Sequence, residues 1–137
     1  MAERVRDIME TKLVTISANE RLSTVDDIMT LGRVRHIPVV LAGRLVGVVS
    51  QRDLLRASLS ALSQHRDAER RAFLAVVEIA RVMSTPPIVI APAATIEQAA
   101  AVMAQKRIGC LPVLEDDELV GMVTETDILR WVARAAR

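Results

Sequence analysis

Two short stretches of this sequence carry side chains whose types and spacing could hold a ligand: Gly47-x-x-Ser50-x-x-Asp53 and Gly121-x-x-Thr124-x-x-Asp127. In both, a hydroxyl residue is followed by a carboxylate about one helical turn later. One reading is purely local: a hydroxyl and an acid so spaced form a capping box at a helix start, and an acid in the first turn also complements the helix dipole. The other reading is a binding site. Asp is shorter than the Glu or Gln that reach back best in a capping box, and a glycine stands where backbone could approach a ligand. A carboxylate placed this way can accept from the hydroxyls of a sugar, as the acid of dinucleotide folds does. It would repel a phosphate, which must then be held elsewhere. Cap and ligand grip can be the same motif.

The two stretches belong to a longer repeat. Met9 recurs as Met83, Ile16 as Ile90, Met29 as Met103, Arg33 as Arg107, Pro38 as Pro112, Gly47 as Gly121, Asp53 as Asp127 and Arg56 as Arg130, at one constant spacing and with no gap. Such self-similarity means two copies of one supersecondary unit, neither able to bury its apolar face alone. Each copy reads as strand, helix, strand, strand, helix. Val14-Thr15-Ile16 suits the first strand, and Leu22, Val25, Ile28 and Met29 share one helical face, as Ile96, Ala99, Val102 and Met103 do in the second copy. Two β-rich runs then meet across Ala42-Gly43 and across Asp116-Asp117, both hairpin-type connections. A final helix follows Ser50 and Thr124.

Between the copies, Phe73, Val76, Val77 and Ala80 recur at helical spacing behind a charged stretch, and Pro86-Pro87 bars continuation. The predicted organisation is a first repeat over residues 5–63, a connecting helix over 64–78 and a second repeat over 79–137. The predicted fold class is α/β, two βαββα-type repeats packed through their sheets with pseudo-two-fold symmetry.

A Pro-containing strand and then Gly-hydrophobic-hydrophobic-Ser/Thr-x-x-Asp before a helix, duplicated over nearly the whole chain, resembles a tandem pair of cystathionine-β-synthase (CBS) domains, the Bateman module. The resemblance implies a regulatory module without catalysis that binds AMP, ADP, ATP or S-adenosylmethionine in clefts between the copies. It further implies that Asp53 and Asp127 take ribose hydroxyls with Ser50 and Thr124 beside them, while backbone near Thr15, Ile37, Val89 and Leu111 lines the base. A homodimer is expected from it too, together with apolar positions of the last helix such as Ile128, Leu129 and Val132. Regulation would act in trans on a protein partner. The rival is an interaction scaffold of the same fold with no bound nucleotide.

The copies differ in one respect that bears on the ligand. Before Pro38 stand Arg35 and His36, where the family often places phosphate-binding cations, whereas Gly109 and Cys110 stand before Leu111 and Pro112. Arginine's fork matches phosphate, so the first copy should favour the more anionic ligand. His36 reads equally as a half-buried strand residue, and Cys110 as a small buried hydrophobe. Lys12, Arg33, Lys106 and Arg107 read as solvated charges, and His65 as exposed.

Composition limits the remaining classes. Among 137 residues, 18 are basic and 17 acidic, so no basic excess points to nucleic acid, and Phe73 and Trp131 are too few to stack bases. His36, His65 and Cys110 lack zinc-ligand spacing. No Gly-x-Ser-x-Gly elbow surrounds Ser50, and no P-loop is present. The charges at Glu3, Arg4, Arg6 and Asp7 leave no room for a signal peptide's apolar run, and no stretch reaches the roughly 18 apolar residues of a membrane span. With its single cysteine the chain is expected to be cytoplasmic.

Overall fold

The computed structural model describes residues 3–61 and 67–135, with side chains over 3–58 and 68–135; His65 lies outside them. In chain order the elements are α1 (Val5–Ile8), β1 (Ile16–Ser17), α2 (Leu22–Gly32), β2 (His36–Leu41), β3 (Arg44–Ser50), α3 (Gln51–Ala61), α4 (Asp67–Leu74), a 3-10 turn (Ile79–Arg81), α5 (Ile96–Lys106), β4 (Cys110–Glu115), β5 (Glu118–Thr124) and α6 (Glu125–Ala135). The architecture is mixed α/β, with two small sheets and flanking helices.

The chain divides into two compact units that do not follow the contiguous repeats. One contains Val14–Pro87, and the other joins Met1–Leu13 to Ile88–Arg137. Each unit thus completes itself with the opening segment of the other repeat. The exchange is the same on both sides. Glu10 pairs with Met122 and Ser84 with Val48, Arg4 with Thr95 and Glu78 with Arg21, all in antiparallel bridges. The Val5 amide donates to Ala94 O at 2.8 Å, and its counterpart Ile79 donates to Glu20 O at 2.9 Å. Val5 and Ile79 are fully buried, each plugging the core it has joined.

In the unit spanning Val14–Pro87, β2 lies between β1, parallel to it, and β3, antiparallel to it. Ile37, Val39 and Val49 meet Leu22, Val25 and Met29 of α2, with Leu54, Leu74 and Ile79 completing the cluster. In the other unit β4 and β5 form the hairpin, Ile90 makes a single parallel bridge to Val113, and Val5, Ala99, Met103, Leu111, Val113 and Val123 form the core. The helical faces expected from spacing are therefore the buried ones. Both hairpins turn through residues of positive φ, Ala42 at 51° with Gly43 at 78° and Asp116 at 52° with Asp117 at 66°. Positive φ at both central residues matches the right-handed strand twist, as a type I′ turn does.

Proline inside β2 is tolerated for a traceable reason. Val48 spends both backbone groups on Ser84, at 2.8 and 3.1 Å, so Pro38 and Val48 face each other as a non-hydrogen-bonded pair. The N–H that Pro38 lacks would point away from β3, and β1 reaches only Val39 and Val40. No ladder bond is lost.

Two expectations need correction. The first strand is Ile16–Ser17 rather than Val14-Thr15-Ile16, because only Ile16 and Ser17 find partners, in Val39 and Val40. The connecting helix is described over Asp67–Leu74 and does not continue to 78. Beyond Leu74 the backbone leaves the helix to bond residues 18–22: Val77 O accepts from Leu22 N, and the Ala80 amide donates to Ala18 O. Leu74 and Ile79 are buried, while Phe73 and Val76 face solvent. Tertiary pairing has overridden helical spacing here. Arg70 ties α4 to its unit, reaching Asp26 Oδ2 of α2 at 3.3 Å and Ser58 Oγ of α3 at 3.2 Å.

Candidate ligand-binding site

β3 ends at Ser50 and α3 begins at once, so the Ser50-to-Asp53 box caps α3; Thr124 and Asp127 do the same between β5 and α6. The Ser50 amide donates to Asp53 Oδ2 at 2.8 Å and the Asp53 amide returns to Ser50 Oγ at 3.1 Å. In the second copy the Thr124 amide donates to Asp127 Oδ2 at 2.8 Å, its hydroxyl donates to the same oxygen at 3.1 Å, and the Asp127 amide reaches Thr124 Oγ1 at 3.5 Å. The local reading of the motif is therefore real in both copies. It occupies only Oδ2 of each acid, and Oδ1 takes no part in the box.

The neighbours of each box come from the strand pairing. His36 lies opposite Ser50 and Cys110 opposite Thr124, and one position on the Gln51 amide closes to Arg35 O at 2.8 Å and that of Glu125 to Gly109 O at 3.1 Å. Those outer bonds make His36–Ser50 and Cys110–Thr124 non-hydrogen-bonded pairs, the kind whose side chains stand closest on one sheet face. The pairing thus sets His36 beside the Ser50–Asp53 box and Cys110 beside the Thr124–Asp127 box, while Pro38 and Pro112 stand two positions further along their strands, opposite Val48 and Met122. Asp53 is 8% exposed. Arg35 precedes its strand and is exposed; Thr15 and Val89 are exposed in the segments ahead of Ile16 and Ile90. Ile37 and Leu111 turn fully buried side chains into the cores, so only their backbone is available to a ligand.

The glycine of the motif has another role than the approach of a ligand. A Cβ on Gly47 would meet Met83 Sδ at 2.7 Å and Ser84 O at 2.8 Å, and one on Gly121 would meet Met9 Sδ at 2.6 Å and Glu10 O at 3.1 Å. Both glycines make room for the exchanged segment to cross the strand. The space expected for a ligand is filled by the chain itself.

That crossing shapes a cleft. In the unit joining Met1–Leu13 to Ile88–Arg137, a hollow of about 260 Å³ is lined by Asp7, Ile8, Met9 and Glu10 from the exchanged segment and by Asp127, Arg130 and Arg134 from α6. Of the residues nominated from sequence, only Asp127 lines it. Glu10 and Arg134 carried no sequence signal, whereas Arg130 repeats Arg56 and stands one turn after Asp127. Among the described residues, no three His, Cys, Asp or Glu side chains gather as a metal site, and no helix is long and apolar enough to cross a membrane.

A duplicated α/β unit with an acid-bearing box at each strand-to-helix corner defines a tandem two-repeat module. The chain belongs to the CBS domain family, whose model matches residues 5–60 and again 77–134. The CBS domain-containing protein YhcV of Bacillus subtilis is 32% identical over 124 residues, spanning 90% of this chain and 81% of the relative. The solved CBS domain pair of protein MJ0100, in complex with 5′-methylthioadenosine and S-adenosyl-L-methionine, matches with a TM-score of 0.82 at 23% identity over 98% of this chain and 99% of that one. CBSX2 in complex with AMP matches with a TM-score of 0.83 at 22% identity over the same shares. At that identity both show the fold.

Proposed function

We propose that this protein is a non-catalytic sensor that binds adenosyl ligands, AMP, ADP, ATP or S-adenosylmethionine, through Asp53 and Asp127 and acts on a protein partner in the cytoplasm. The observation that carries the reading is the capping geometry: each acid is fixed at a helix start by Oδ2, so Oδ1 is pre-oriented to accept from sugar hydroxyls at little further entropic cost. Pre-positioned acceptors of this kind suit a ribose. The adenosyl compounds bound by MJ0100 and by CBSX2 support the same class of ligand. The remaining nominated residues, Thr15, Arg35, His36, Ile37, Pro38 and Ser50 in one copy and Val89, Gly109, Cys110, Leu111, Pro112 and Thr124 in the other, would surround the base and the 5′ group.

A ligand that binds only the folded state stabilises it by about 2.7 kcal/mol at a hundredfold excess over Kd. Thermal melts with millimolar AMP, ATP or S-adenosylmethionine should therefore rise by several degrees. Asp53→Asn and Asp127→Asn weaken the box and lower the unliganded melting temperature, so each variant is compared with itself, with and without ligand. The expected result is a diminished shift in each and none in the double variant. A full shift in the double variant would show that the acids are not the grip.

The homodimer has its own support. α6 buries no residue among those described, Leu129 is 66% and Val132 49% exposed, and Ile128 and Leu129 border an apolar groove of about 250 Å³ with Ala100, Met103, Ala104 and Ile108 of the same unit. A second copy would cover this face. Sedimentation at micromolar concentration should give a dimer, and Leu129→Glu a monomer; a wild-type monomer would overturn this part of the reading.

A further inference from the structure

We propose that the exchanged segments choose the ligand. Asp7 and Glu10 make the Asp127 site select an adenosyl ligand whose 5′ group is neutral or cationic, while Arg81 and Ser84 leave the Asp53 site open to a 5′-phosphate. The proposal rests on the adenosyl reading above and adds which residues discriminate.

The exchange is symmetric in backbone but not in charge. Glu10 pairs with Met122, one residue past Gly121, and Ser84 pairs with Val48, one residue past Gly47. Positions 10 and 84 therefore occupy the same place in the two units, and so do Asp7 and Arg81 just upstream of them. The Asp127 cleft holds three carboxylates, Asp7, Glu10 and Asp127, against two guanidiniums, Arg130 and Arg134. At the corresponding positions of the other copy, Asp53 is the only carboxylate, and Arg56 and Arg81 bring two guanidiniums; Arg134 has Ser60 as its counterpart in the sequence. Arg35 and His36, against Gly109 and Cys110, tilt the balance in the same direction. The acids of the cleft are held in place: Asp7 accepts from the Arg4 amide at 2.7 Å, and Glu10 Oε1 accepts from the Lys12 amide at 2.9 Å.

Each charge placed several ångströms from a ligand charge at an exposed site changes affinity by about three- to tenfold. AMP and S-adenosylmethionine share the adenosyl part and differ in the charge of the 5′ group, so their affinity ratio reads this field directly. The test is titration calorimetry of the full chain in an Asp53→Asn background, which leaves the Asp127 site to be measured, with AMP and S-adenosylmethionine as probes. Glu10→Ser, which installs the residue of the other copy, should raise the AMP-to-S-adenosylmethionine affinity ratio about tenfold at low salt, an effect that shrinks as ionic strength rises. Ser84→Glu in an Asp127→Asn background should lower that ratio at the other site. Both ligands binding with an unchanged ratio in Glu10→Ser overturns the proposal alone, and so does a changed ratio that is insensitive to salt. Failure of wild-type protein to bind either ligand at millimolar concentration overturns the adenosyl reading and this proposal with it.

Discussion

Alanine at Gly47 or at Gly121 should destabilise the protein by about 2–3 kcal/mol, the usual cost of forcing extra volume into a packed contact. For a chain of this size that corresponds to a fall in melting temperature of roughly 5–10 °C. Neither glycine has a positive φ, so conformational freedom is not the reason. The reason is contact. At Gly47 the added methyl would press on Ser84 O at 2.8 Å, and Ser84 cannot withdraw without breaking both of its bonds to Val48. At Gly121 the carbonyl of Glu10 stands further off, at 3.1 Å, and the worst clash is with the flexible side chain of Met9. Gly47→Ala should thus be the more damaging of the two. Adding Met9→Ala to Gly121→Ala should recover part of the loss, whereas Met83→Ala should help Gly47→Ala less. A double-mutant cycle by thermal melts measures that difference. Equal and negligible effects at both glycines would mean that the exchanged segments do not cross the strands as described.

The second large effect is expected at Ile79. It is fully buried although it lies in a short 3-10 turn at the start of the second repeat, and Ile79→Ala should cost about 3 kcal/mol, within the range for large-to-small changes in cores. Val76, three residues earlier and 72% exposed, makes the control: Val76→Ala should stay within about 0.5 kcal/mol, as surface substitutions do. Urea unfolding of the two variants separates the observed chain path from the helix that spacing alone predicts over this stretch, in which Val76 would be a core residue and Ile79 would not.

That contrast shows where the sequence was legible and where it was not. The helical faces of Leu22, Val25 and Met29 and of Ile96, Ala99 and Met103, and the turns at Ala42-Gly43 and Asp116-Asp117, follow from local rules that the fold leaves intact. The acid-and-hydroxyl boxes at the helix starts were legible for the same reason. A repeat, however, states which residues are alike and not which are near. Nothing in the spacing of Met9 and Met83 says that Met9 packs on Gly121 and Met83 on Gly47, so the exchange, the true role of the glycines and the charged cleft at Asp127 all escaped. The first strand and the connecting helix were misplaced because partners distant in sequence took their backbone groups. Glu10, now a candidate for ligand choice, carried no signal in the sequence.

The most direct test of the adenosyl-binding account is calorimetric titration of the wild-type chain with AMP and with S-adenosylmethionine, repeated on the Asp53→Asn/Asp127→Asn double variant. The account predicts saturable binding to the wild type and its loss in the double variant. An absence of heat from every adenosyl ligand at millimolar concentration, with the wild-type protein folded, would contradict it and leave the exposed face of α6 as the basis for an interaction scaffold.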